Sequence, residues 1–560
     1  MNYKEEISKL FKGSFDCSKI YGLLQRPKDE SMGDYALPCF GFAKEYGKSP
    51  KEVAEQLQKE LIKPDFLESI TAVNGFLNFK IDDETFAKDV LKEICEKKER
   101  YGSSNMGEGK VICIDYSSVN IAKPFHIGHL LTTVLGAALY RIYDFLGYKP
   151  FGINHLGDYG TQFGKLISAY KRWGKKADIE KRGVQALNEL YVKFHEEAEK
   201  DPNLEEEGRK YFKLIEQGDK ECLELFEWFK KITLNEVQKV YDRLGIHFDS
   251  YNGESFYNDK MEPVLKELAD KKLLVESDGA KVVELDGMPP CLLQKADGAT
   301  LYATRDIAAA FYRKKTYNFY KCLYVVAYQQ NLHFKQFFKV IELMGYDFAK
   351  DLEHVAFGMV SLEDGTLSTR KGKVVLLDEV LNKAVEKSLR IITEKNPNLN
   401  NKEEIAEKVG IGAVVFFALS NSRIKDIVFA YDKVLTFDGE TGPYVQYTYA
   451  RCNSVLEKGG EYDYRNAEYS AITQKEGRTV LTALSKFPEI IKDAADKKEP
   501  SIVTRYIIDV AQSFNKFYIE HKIIEGTEGE RRAKLSLTFA VKQVIESGLK
   551  LLGVSAPEKM

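Results

Sequence analysis

The 560-residue sequence predicts an α/β protein built on a Rossmann-like, doubly wound parallel sheet, with an N-terminal α+β domain and a C-terminal all-α helical bundle. Three observations support this fold class. Strand and helix patterns alternate through the middle of the chain, as they do in parallel sheets with crossover helices. Helical patterns and a strand pair come before this region, and helical spacing alone comes after it. The resulting domain boundaries are 1–108, 109–380, 381–435 for a connecting helical segment, and 436–560.

The first domain combines two helical patterns with a strand pair. The helical patterns cover about 33–46 and 49–61, and Ser49-Pro50 is a typical helix start. The two strands meet at Asn74-Gly75, a dipeptide that favours a tight hairpin turn. An amphipathic helix ending near Arg100 closes the domain, in which the sequence shows no catalytic cluster.

The middle domain begins with an apolar run that predicts a buried strand at 111–116. A helix at 126–146 and a strand at 150–155 follow, and Gly147 ends the helix. A Glu- and Lys-rich helical insertion then fills 160–245, where the sequence suggests no site residue.

Further strands are predicted after the insertion. Asp278-Gly279 indicates a hairpin, and strands leading into loops and helices are predicted at 300–303, 322–328 and 354–360. Ligands of a doubly wound sheet bind beyond the carboxyl ends of its strands, so we expect a single active site there.

The last domain shows three apolar stripes at helical spacing, within 480–491, 502–517 and 535–552. They predict a helical bundle whose aromatic residues belong mainly to the core.

Composition excludes few functions. The formal net charge of −3 is compatible with a nucleic-acid partner, because such a partner needs only a local basic face. The sequence has no long apolar run and no signal region at its start, so we expect a cytoplasmic protein without membrane contact. The eight cysteines include no C-x-x-C pair, so we expect no zinc or other bound metal and no disulfide framework.

The most informative segment is DYSSVNIAKPFHIGH, at 115–129. It joins the first predicted strand to a helix whose first turn carries His126 and His129 on one face. A helix N-terminus favours bound phosphate, and Lys123 lies close by in the sequence. One histidine at a helix start is more often a cap or a surface residue, but H-x-G-H arises by chance only about 0.01 times in such a chain. The pattern therefore indicates adenylyl transfer.

This segment resembles the HIGH signature of class I aminoacyl-tRNA synthetases, and its longer form S-S-x-N-I-A-K-P-F-H-x-G-H resembles the arginyl-tRNA synthetase family. Other stretches follow that family's order along essentially the whole chain: GDYALPCFGFAKEYGKSPKEVAEQL, AVNGFLNFKI, NHLGDYGTQFGKL, LYATRDIAAA, YVVAYQQNLHFKQFF, STRKGKVV and GPYVQYTYAR.

The resemblance implies an arginine–tRNA ligase. Such an enzyme activates L-arginine with ATP, accompanied by Mg²⁺, and transfers the arginyl group to the 3′ end of tRNA(Arg), releasing AMP and pyrophosphate. The first domain would contact the tRNA body, or would be a simple packing domain, and the last would read the anticodon. We expect a monomer. Family members usually need bound tRNA before they activate the amino acid.

The resemblance also implies catalytic residues. His126 and His129 would stabilise the charge on the phosphate. The second class I signature, KMSKS, corresponds here to 366–370, where both lysine positions are threonine. Lys123 would supply the missing charge, or would be only a solvated lysine. Ser368, Arg370 and Lys371 are further candidates on the same loop.

Five positions match the family's arginine pocket. A guanidinium has five donors, so its pocket needs acids. Asp115, which stands where glutamate is usual, and Asp306 would approach the guanidinium, and Tyr302 would line the pocket. Asn120 and Gln330 would hold the amino-acid α-groups. For Asp306 alone, a helix N-terminal acid is the competing interpretation.

The ATP site is predicted less sharply. It would include His126, Gly128 and His129 of the signature, with Gly157 and Asp158 after the second strand and His333 farther along. A glycine-containing turn can equally reflect tight packing. Two other functions stay open: another class I aminoacyl-tRNA synthetase, or a catalytically silent tRNA-binding paralogue.

Overall fold

A computed structural model describes residues 2–12, 15–27, 29–296, 298, 300–362 and 375–560. The chain forms two compact units. The first contains Met1–Tyr101, Thr448–Pro488 and Asp509–Ser547, and the second contains Gly102–Tyr447, Glu489–Ile508 and Gly548–Met560. These units do not follow the four predicted segments, whose boundaries stay a prediction.

Helices dominate the described residues. They are α1 Tyr3–Lys9, α2 Cys17–Leu23, α3 Ala43–Tyr46, α4 Pro50–Glu60, α5 Asp83–Lys97, α6 Leu130–Phe145, α7 Thr161–Trp173, α8 Lys176–Arg182, α9 Val184–Ala198, α10 Asn203–Glu216, α11 Lys220–Leu244, α12 Met261–Asp270, α13 Tyr302–Tyr317, α14 Asn331–Leu343, α15 Leu377–Lys395, α16 Lys402–Ser420, α17 Tyr431–Val434, α18 Gly442–Gly459, α19 Lys475–Ser485, α20 Phe487–Lys497, α21 Ser501–Glu520 and α22 Glu528–Leu552.

The strands belong to four sheets. They are β1 Tyr35–Pro38, β2 Leu67–Val73, β3 Phe76–Ile81, β4 Val111–Asp115, β5 Lys149–Ile153, β6 Val275–Ser277, β7 Ala280–Leu285, β8 Met288–Gln294, β9 Lys321–Tyr324, β10 Leu352–His354, β11 Val360–Leu362 and β12 Ile427–Phe429. Their orders are β1-β3-β2, β10-β9-β4-β5, β11-β12 and β6-β7-β8.

Local chemistry explains the start of the chain. Helix α4 begins as predicted at Pro50, because the side chains and backbones of Ser49 and Glu52 cap one another. The predicted hairpin is present, and Asn74 and Gly75 both have the positive φ that its turn requires. The predicted helix at 33–46 is wrong over its first half, since β1 there pairs with β3 and is almost fully buried.

The predicted parallel sheet is confirmed in the second unit. Strand β4 lies between β9 and β5, and all three pairings of the sheet are parallel. Cys113 of β4 belongs to the core formed with α13 and α14. Side chains alternate along a strand, so Ile112 and Ile114 face the opposite side of the sheet. The carboxyl ends of β4 and β9 meet at one edge, where Asp115 is paired with Tyr324.

Three predicted elements of this region are wrong in detail. No strand forms at 300–303: Thr300 makes only an isolated bridge with Gln294, and α13 begins at Tyr302. So short an apolar run does not distinguish a strand from a buried helix turn. The strand at 354–360 is split into β10 and β11, which belong to different sheets. The helix at 126–146 begins only at Leu130, after a short 3₁₀ turn at Ile127–His129.

The insertion is helical as predicted, from α7 to α11. The region after 405 is helical except for the short strand β12. None of the helices in the described part of the chain has the length and apolarity needed to cross a membrane. All eight cysteines are free.

Candidate active site

The loop between β4 and the 3₁₀ turn has an unusual backbone. Ser117, Ser118 and Ala122 have φ values of 69°, 49° and 59°. For residues with a Cβ atom, the left-handed region costs roughly 1–2 kcal/mol each. Such strain persists only where surrounding contacts impose it, and it concentrates at functional sites.

His126 and His129 cap the backbone with their rings. Nδ1 of His126 accepts a hydrogen bond from the Gly128 N–H at 3.1 Å, and Nδ1 of His129 accepts one from the His126 N–H at 3.2 Å. Since Nδ1 is the acceptor in both rings, a neutral imidazole carries its proton on Nε2. The ring centroids are 4.1 Å apart. The geometry therefore combines the capping role with a pair of adjacent Nε2–H donors.

Both rings are neutral near pH 7. Burial lowers the pKa of His126. Burial and the neighbouring His126 together lower the pKa of His129 to about 3. Two neutral rings with Nε2–H groups can donate to negative oxygens without having to bind an extra proton.

The histidine turn is joined to the segment that begins at Val375. The Ile127 N–H donates to the Val375 carbonyl at 3.1 Å, and the Leu377 N–H donates to the Phe125 carbonyl at 2.9 Å. The predicted loop residues Ser368, Arg370 and Lys371 lie outside the described residues, so their roles stay a prediction.

Polar groups available to a ligand surround this turn. Lys123 and Asn120 are exposed, and Lys123 forms no hydrogen bond or ion pair with another residue in the described part of the chain. Gly157 packs against Asn120 so closely that an added Cβ atom would lie 2.2 Å from Asn120 Oδ1. The Gly157 N–H also donates to the Val119 carbonyl at 2.9 Å. Packing alone thus explains Gly157, and its predicted ATP contact stays a prediction.

Asp158 has a structural role, and its predicted ATP contact stays a prediction. Its side chain is fully buried and forms an ion pair with Lys230 at 2.8 Å. It also accepts hydrogen bonds from the backbone N–H and the hydroxyl of Ser255, at 2.9 and 2.8 Å. These protein donors satisfy the carboxylate, which joins the loop after β5 to α11 and to the segment around Ser255.

Asp115 likewise has a partner within the protein. Its carboxylate forms an ion pair with Arg313 at 2.7 Å, and both side chains are buried. Ser118 Oγ donates to its other oxygen at 3.0 Å. Burial lowers the pKa of Arg313, but Asp115 outweighs it, so the guanidinium is firmly charged. The carboxylate thus already has two protein partners, and the guanidinium contact of Asp115 stays a prediction.

Asp306 lies in a more open cluster. It accepts from Nε2 of His333 on α14 at 2.6 Å. Burial raises its pKa and the His333 hydrogen bond lowers it, with a net decrease, so the carboxylate is ionised. Tyr302, one turn earlier on α13, is 60% exposed and its ring edge contacts His333. Because Asp306 is one turn inside α13, the helix N-terminal interpretation does not apply.

Gln330 completes this group. It is exposed and directly precedes α14, which carries His333. The structure therefore places Tyr302 and Asp306 in the first two turns of α13, Gln330 at the N-cap of α14 and His333 in the first turn of α14. Among the described residues, no group of three or more His, Cys, Asp or Glu side chains could hold a metal ion.

Family models match the chain from end to end. The model of the arginyl-tRNA synthetase N-terminal domain matches residues 1–81, and the model described as the catalytic domain of class I (R) tRNA synthetases matches 90–431. The chain belongs to the arginyl-tRNA synthetase family. A model of the DALR anticodon-binding domain matches residues 445–560.

Curated relatives of this arginyl-tRNA synthetase family member are similar over their full length. The chain is 54% identical to the arginine–tRNA ligase of Alkaliphilus metalliredigens over 566 aligned residues. It is 51% identical to the arginine–tRNA ligase of Halothermothrix orenii. In both comparisons the alignment covers 100% of each chain.

Solved arginyl-tRNA synthetase structures share the fold. The Thermus thermophilus enzyme superposes with a TM-score of 0.84 at 27% identity, covering 100% of this chain and 99% of that one. The Plasmodium falciparum enzyme has a TM-score of 0.81 at 23% identity, with the same coverage, and supports the fold alone.

Sequence reasoning did not single out three charged residues of this arginyl-tRNA synthetase family member that lie beside the predicted site residues or pair with them. Arg305, beside Asp306, forms an ion pair with Glu254 at 3.0 Å, and burial raises the pKa of Glu254 to about 7. The periodicity gives no signal for Glu254. For Arg313 the sequence does contain a signal, since this residue lies two turns after Asp306 on the same face of an alanine-rich helix.

Proposed function

We propose that the protein is an arginine–tRNA ligase, which activates L-arginine with ATP and transfers the arginyl group to the 3′ end of tRNA(Arg). The observation that carries this proposal is a pair of neutral imidazoles at the edge of the sheet where an acid-containing cluster also lies. Full-length similarity to curated arginine–tRNA ligases supports it. The products of the proposed reaction are AMP and pyrophosphate, as the resemblance to the arginyl-tRNA synthetase family implies.

The first step is an in-line displacement at the α-phosphorus of ATP. An arginine carboxylate oxygen forms the new P–O bond as the bond to the departing pyrophosphate breaks. No enzyme nucleophile is required, so catalysis consists of positioning and charge stabilisation. Nε2–H groups of His126 and His129 donate to the phosphate oxygens, and Lys123 balances the charge of the pyrophosphate. In the second step a hydroxyl of the terminal tRNA ribose attacks the arginyl carbonyl, so that an ester bond forms as the acyl–phosphate bond breaks, and AMP leaves together with the hydroxyl proton.

Arginine is held by the cluster on α13 and α14. Asp306 accepts from the guanidinium while His333 keeps the carboxylate ionised and oriented. The exposed ring of Tyr302 covers the side chain. The amide groups of Asn120 and Gln330 bind the α-amino and α-carboxylate groups. A charge-assisted hydrogen bond of this kind contributes about 1.5–3 kcal/mol.

The nucleotide occupies the space beside the signature turn. Gly128 admits a phosphate close to the backbone, and Gly157 and His333 line the nucleoside side. Mg²⁺ enters as part of the substrate MgATP, held by phosphate oxygens and water, which suits its coordination preferences. The described residues offer no three-ligand group for a resident ion. Ser368, Arg370 and Lys371 would add charge at the pyrophosphate.

Transfer RNA is the third substrate. The part of the chain that matches the DALR model, residues 445–560, would bind the anticodon. The N-terminal domain, taken as 1–108, would contact the tRNA body. We further propose that the protein acts as a cytoplasmic monomer.

Substitution of Asp306 tests the arginine pocket. Asp306→Asn removes the negative charge facing the guanidinium, so the KM for arginine should rise by roughly ten- to a hundredfold. The KM for ATP should change little. Steady-state ATP–pyrophosphate exchange in the presence of tRNA measures both constants. Asp219→Asn is the control, because Asp219 only caps α11 through the Cys222 N–H. Equal increases in both KM values would show that Asp306 does not belong to the arginine pocket.

A further inference from the structure

The geometry points to helix α11 of the insertion as a clamp on the active-site loop. Thr233 and Tyr241 of α11 are, in this proposal, positioning residues that hold the strained segment 117–122 ahead of the histidine pair. The inference rests on the proposed function for its catalytic consequence. It assigns a role to a region in which the sequence suggested no site residue.

The first contact of the clamp holds the start of the loop. Ser117 Oγ lies 2.7 Å from the Tyr241 hydroxyl and 2.9 Å from Thr133 Oγ1. The Tyr241 hydroxyl also accepts from Asn154 Nδ2 at 2.9 Å, and Thr133 Oγ1 donates to the His129 carbonyl at 2.7 Å. The side chains of Ser117, Thr133, Asn154 and Tyr241 are all buried.

The number of hydrogens on the hydroxyl groups decides which group donates in each of these hydrogen bonds. Each hydroxyl has a single hydrogen to donate. Thr133 donates its hydrogen to the His129 carbonyl. Ser117 must therefore donate to Thr133, and Tyr241 must donate to Ser117. Asn154 then donates to Tyr241. The bonds therefore run from Asn154 through Tyr241, Ser117 and Thr133 to the backbone of His129, and such aligned bonds reinforce one another.

The second contact holds the end of the loop. Thr233 Oγ1 accepts from the Ala122 N–H at 2.9 Å and donates its own hydrogen to the Phe229 carbonyl at 2.9 Å. Thr233 is completely buried. The clamp therefore contacts the first and last of the three left-handed residues, Ser117 and Ala122.

Both contacts come from one face of α11. Thr233 and Tyr241 are about two turns apart, and Lys230, which pairs with Asp158, lies one turn before Thr233. A single face of this helix thus fixes the loop after β4 and the loop after β5. Asn120 and Lys123, which the proposed mechanism uses, lie within or directly after the clamped segment.

Removal of each contact tests the clamp. Tyr241→Phe and Thr233→Val delete one hydroxyl each with little change in shape. In ATP–pyrophosphate exchange with arginine and tRNA, kcat should fall by roughly ten- to a hundredfold, while the KM for tRNA stays within about twofold. Thr233→Ser, which keeps the acceptor, should behave like the parent protein. Matched controls are Tyr143→Phe and Thr504→Val, whose buried hydroxyls bond to carbonyls elsewhere in the second unit.

A rescue experiment separates positioning from simple loss of stability. Glycine adopts positive φ without steric cost, so Ala122→Gly should restore most of the kcat lost in Thr233→Val. Ala122→Gly alone should be close to the parent in kcat. Failure of the rescue, or equal losses in the controls, would show that the hydroxyls are merely structural.

Hydrogen exchange gives a readout that does not depend on catalysis. Amide exchange of a peptide covering 117–125 should accelerate in Tyr241→Phe and Thr233→Val, and not in the two controls. A parent protein without pyrophosphate exchange would contradict the proposed function, whereas unchanged amide protection in the variants would overturn the clamp.

Discussion

Each signature histidine uses one ring nitrogen to bind the backbone and leaves the other one available. Nδ1 accepts a backbone N–H of the turn, and in the proposed mechanism the Nε2–H donates to the substrate. The backbone bond therefore fixes the tautomer that this mechanism requires. Sequence spacing indicates that the two rings are neighbours, but it cannot reveal which nitrogen is used, because that depends on the extended backbone at His126.

The two nitrogens of His126 can be tested separately. An asparagine oxygen can replace Nδ1 as the acceptor for the Gly128 N–H, whereas a glutamine amide reaches the position of Nε2. His126→Asn should therefore preserve stability and lower kcat about a hundredfold, the effect of losing one transition-state donor. His126→Gln should retain more activity but less stability. Exchange kinetics and thermal unfolding measure the two effects, and an asparagine variant with parental kcat would contradict the assignment.

The low pKa of His129 predicts a pH dependence of stability. Its folded-state pKa of about 3 lies below the ordinary value of 6.5. Between these values the unfolded chain binds more protons, so the free energy of unfolding should fall as the pH drops from 6.5 toward 3. Denaturant unfolding across this range should show a smaller fall for His129→Asn than for the parent. Identical pH profiles would mean that His129 is not buried in its neutral form.

At the residue scale, the sequence indicates candidate site residues but not their protein partners. Motifs single out His126, His129 and Asp306, and the roles of these residues stay predictions. The ion pairs of Asp115 and Asp158 were not predicted, because Arg313 and Lys230 come from distant segments of the chain. A carboxylate in a motif is therefore only a candidate ligand until its protein partners are known.

At the scale of elements, a glycine lets α6 approach the active-site strand. A Cβ atom at Gly136 would lie 2.2 Å from the ring of Tyr116, which is buried directly after β4. Tyr116 also contacts Gly152 of β5, where an added Cβ atom would meet its ring at 3.3 Å. The aromatic ring thus fills the space between the helix and the sheet.

Gly136→Ala tests this close approach. Through its higher helix propensity, alanine should raise the free energy of unfolding by about 1 kcal/mol. Overpacking against Tyr116 should lower that free energy by roughly 1–3 kcal/mol or more. We expect a net loss of stability and a lower kcat, since Tyr116 adjoins the strained loop. Gly22→Ala on α2, which has open space around it, should be neutral or stabilising in the same thermal unfolding assay. A stabilised Gly136→Ala variant would contradict this packing.

Elements defined by local chemistry were predictable and those defined by distant pairing were not. The capping box of α4 and the Asn74-Gly75 turn each lie within a few residues. Strand β1 depends on β3, which is some forty residues away. β11 depends in the same way on β12. Neither pairing leaves a periodic signal strong enough to distinguish the strand from a helix or a longer strand.

At the scale of the whole molecule, the first unit combines the N-terminal segment Met1–Tyr101 with two later segments, Thr448–Pro488 and Asp509–Ser547. Arg478 of α19 forms ion pairs with Asp34 and Asp83, at 2.6 and 2.7 Å, and lies over the ring of Phe86. Contacts between residues so distant in sequence are not visible in composition or periodicity. The sequence predicted an N-terminal domain and a C-terminal bundle, but not that parts of both would form one compact unit.

The central claim concerns the whole molecule: one site binds arginine through an acid and its ATP through neutral imidazoles. The most direct test is ATP–pyrophosphate exchange by the intact protein with arginine, lysine or citrulline, with and without tRNA(Arg). The account predicts exchange with arginine when tRNA is present and little with lysine or citrulline, because the unpaired carboxylate of Asp306 penalises both. No exchange with arginine, or equal exchange with citrulline, would contradict it.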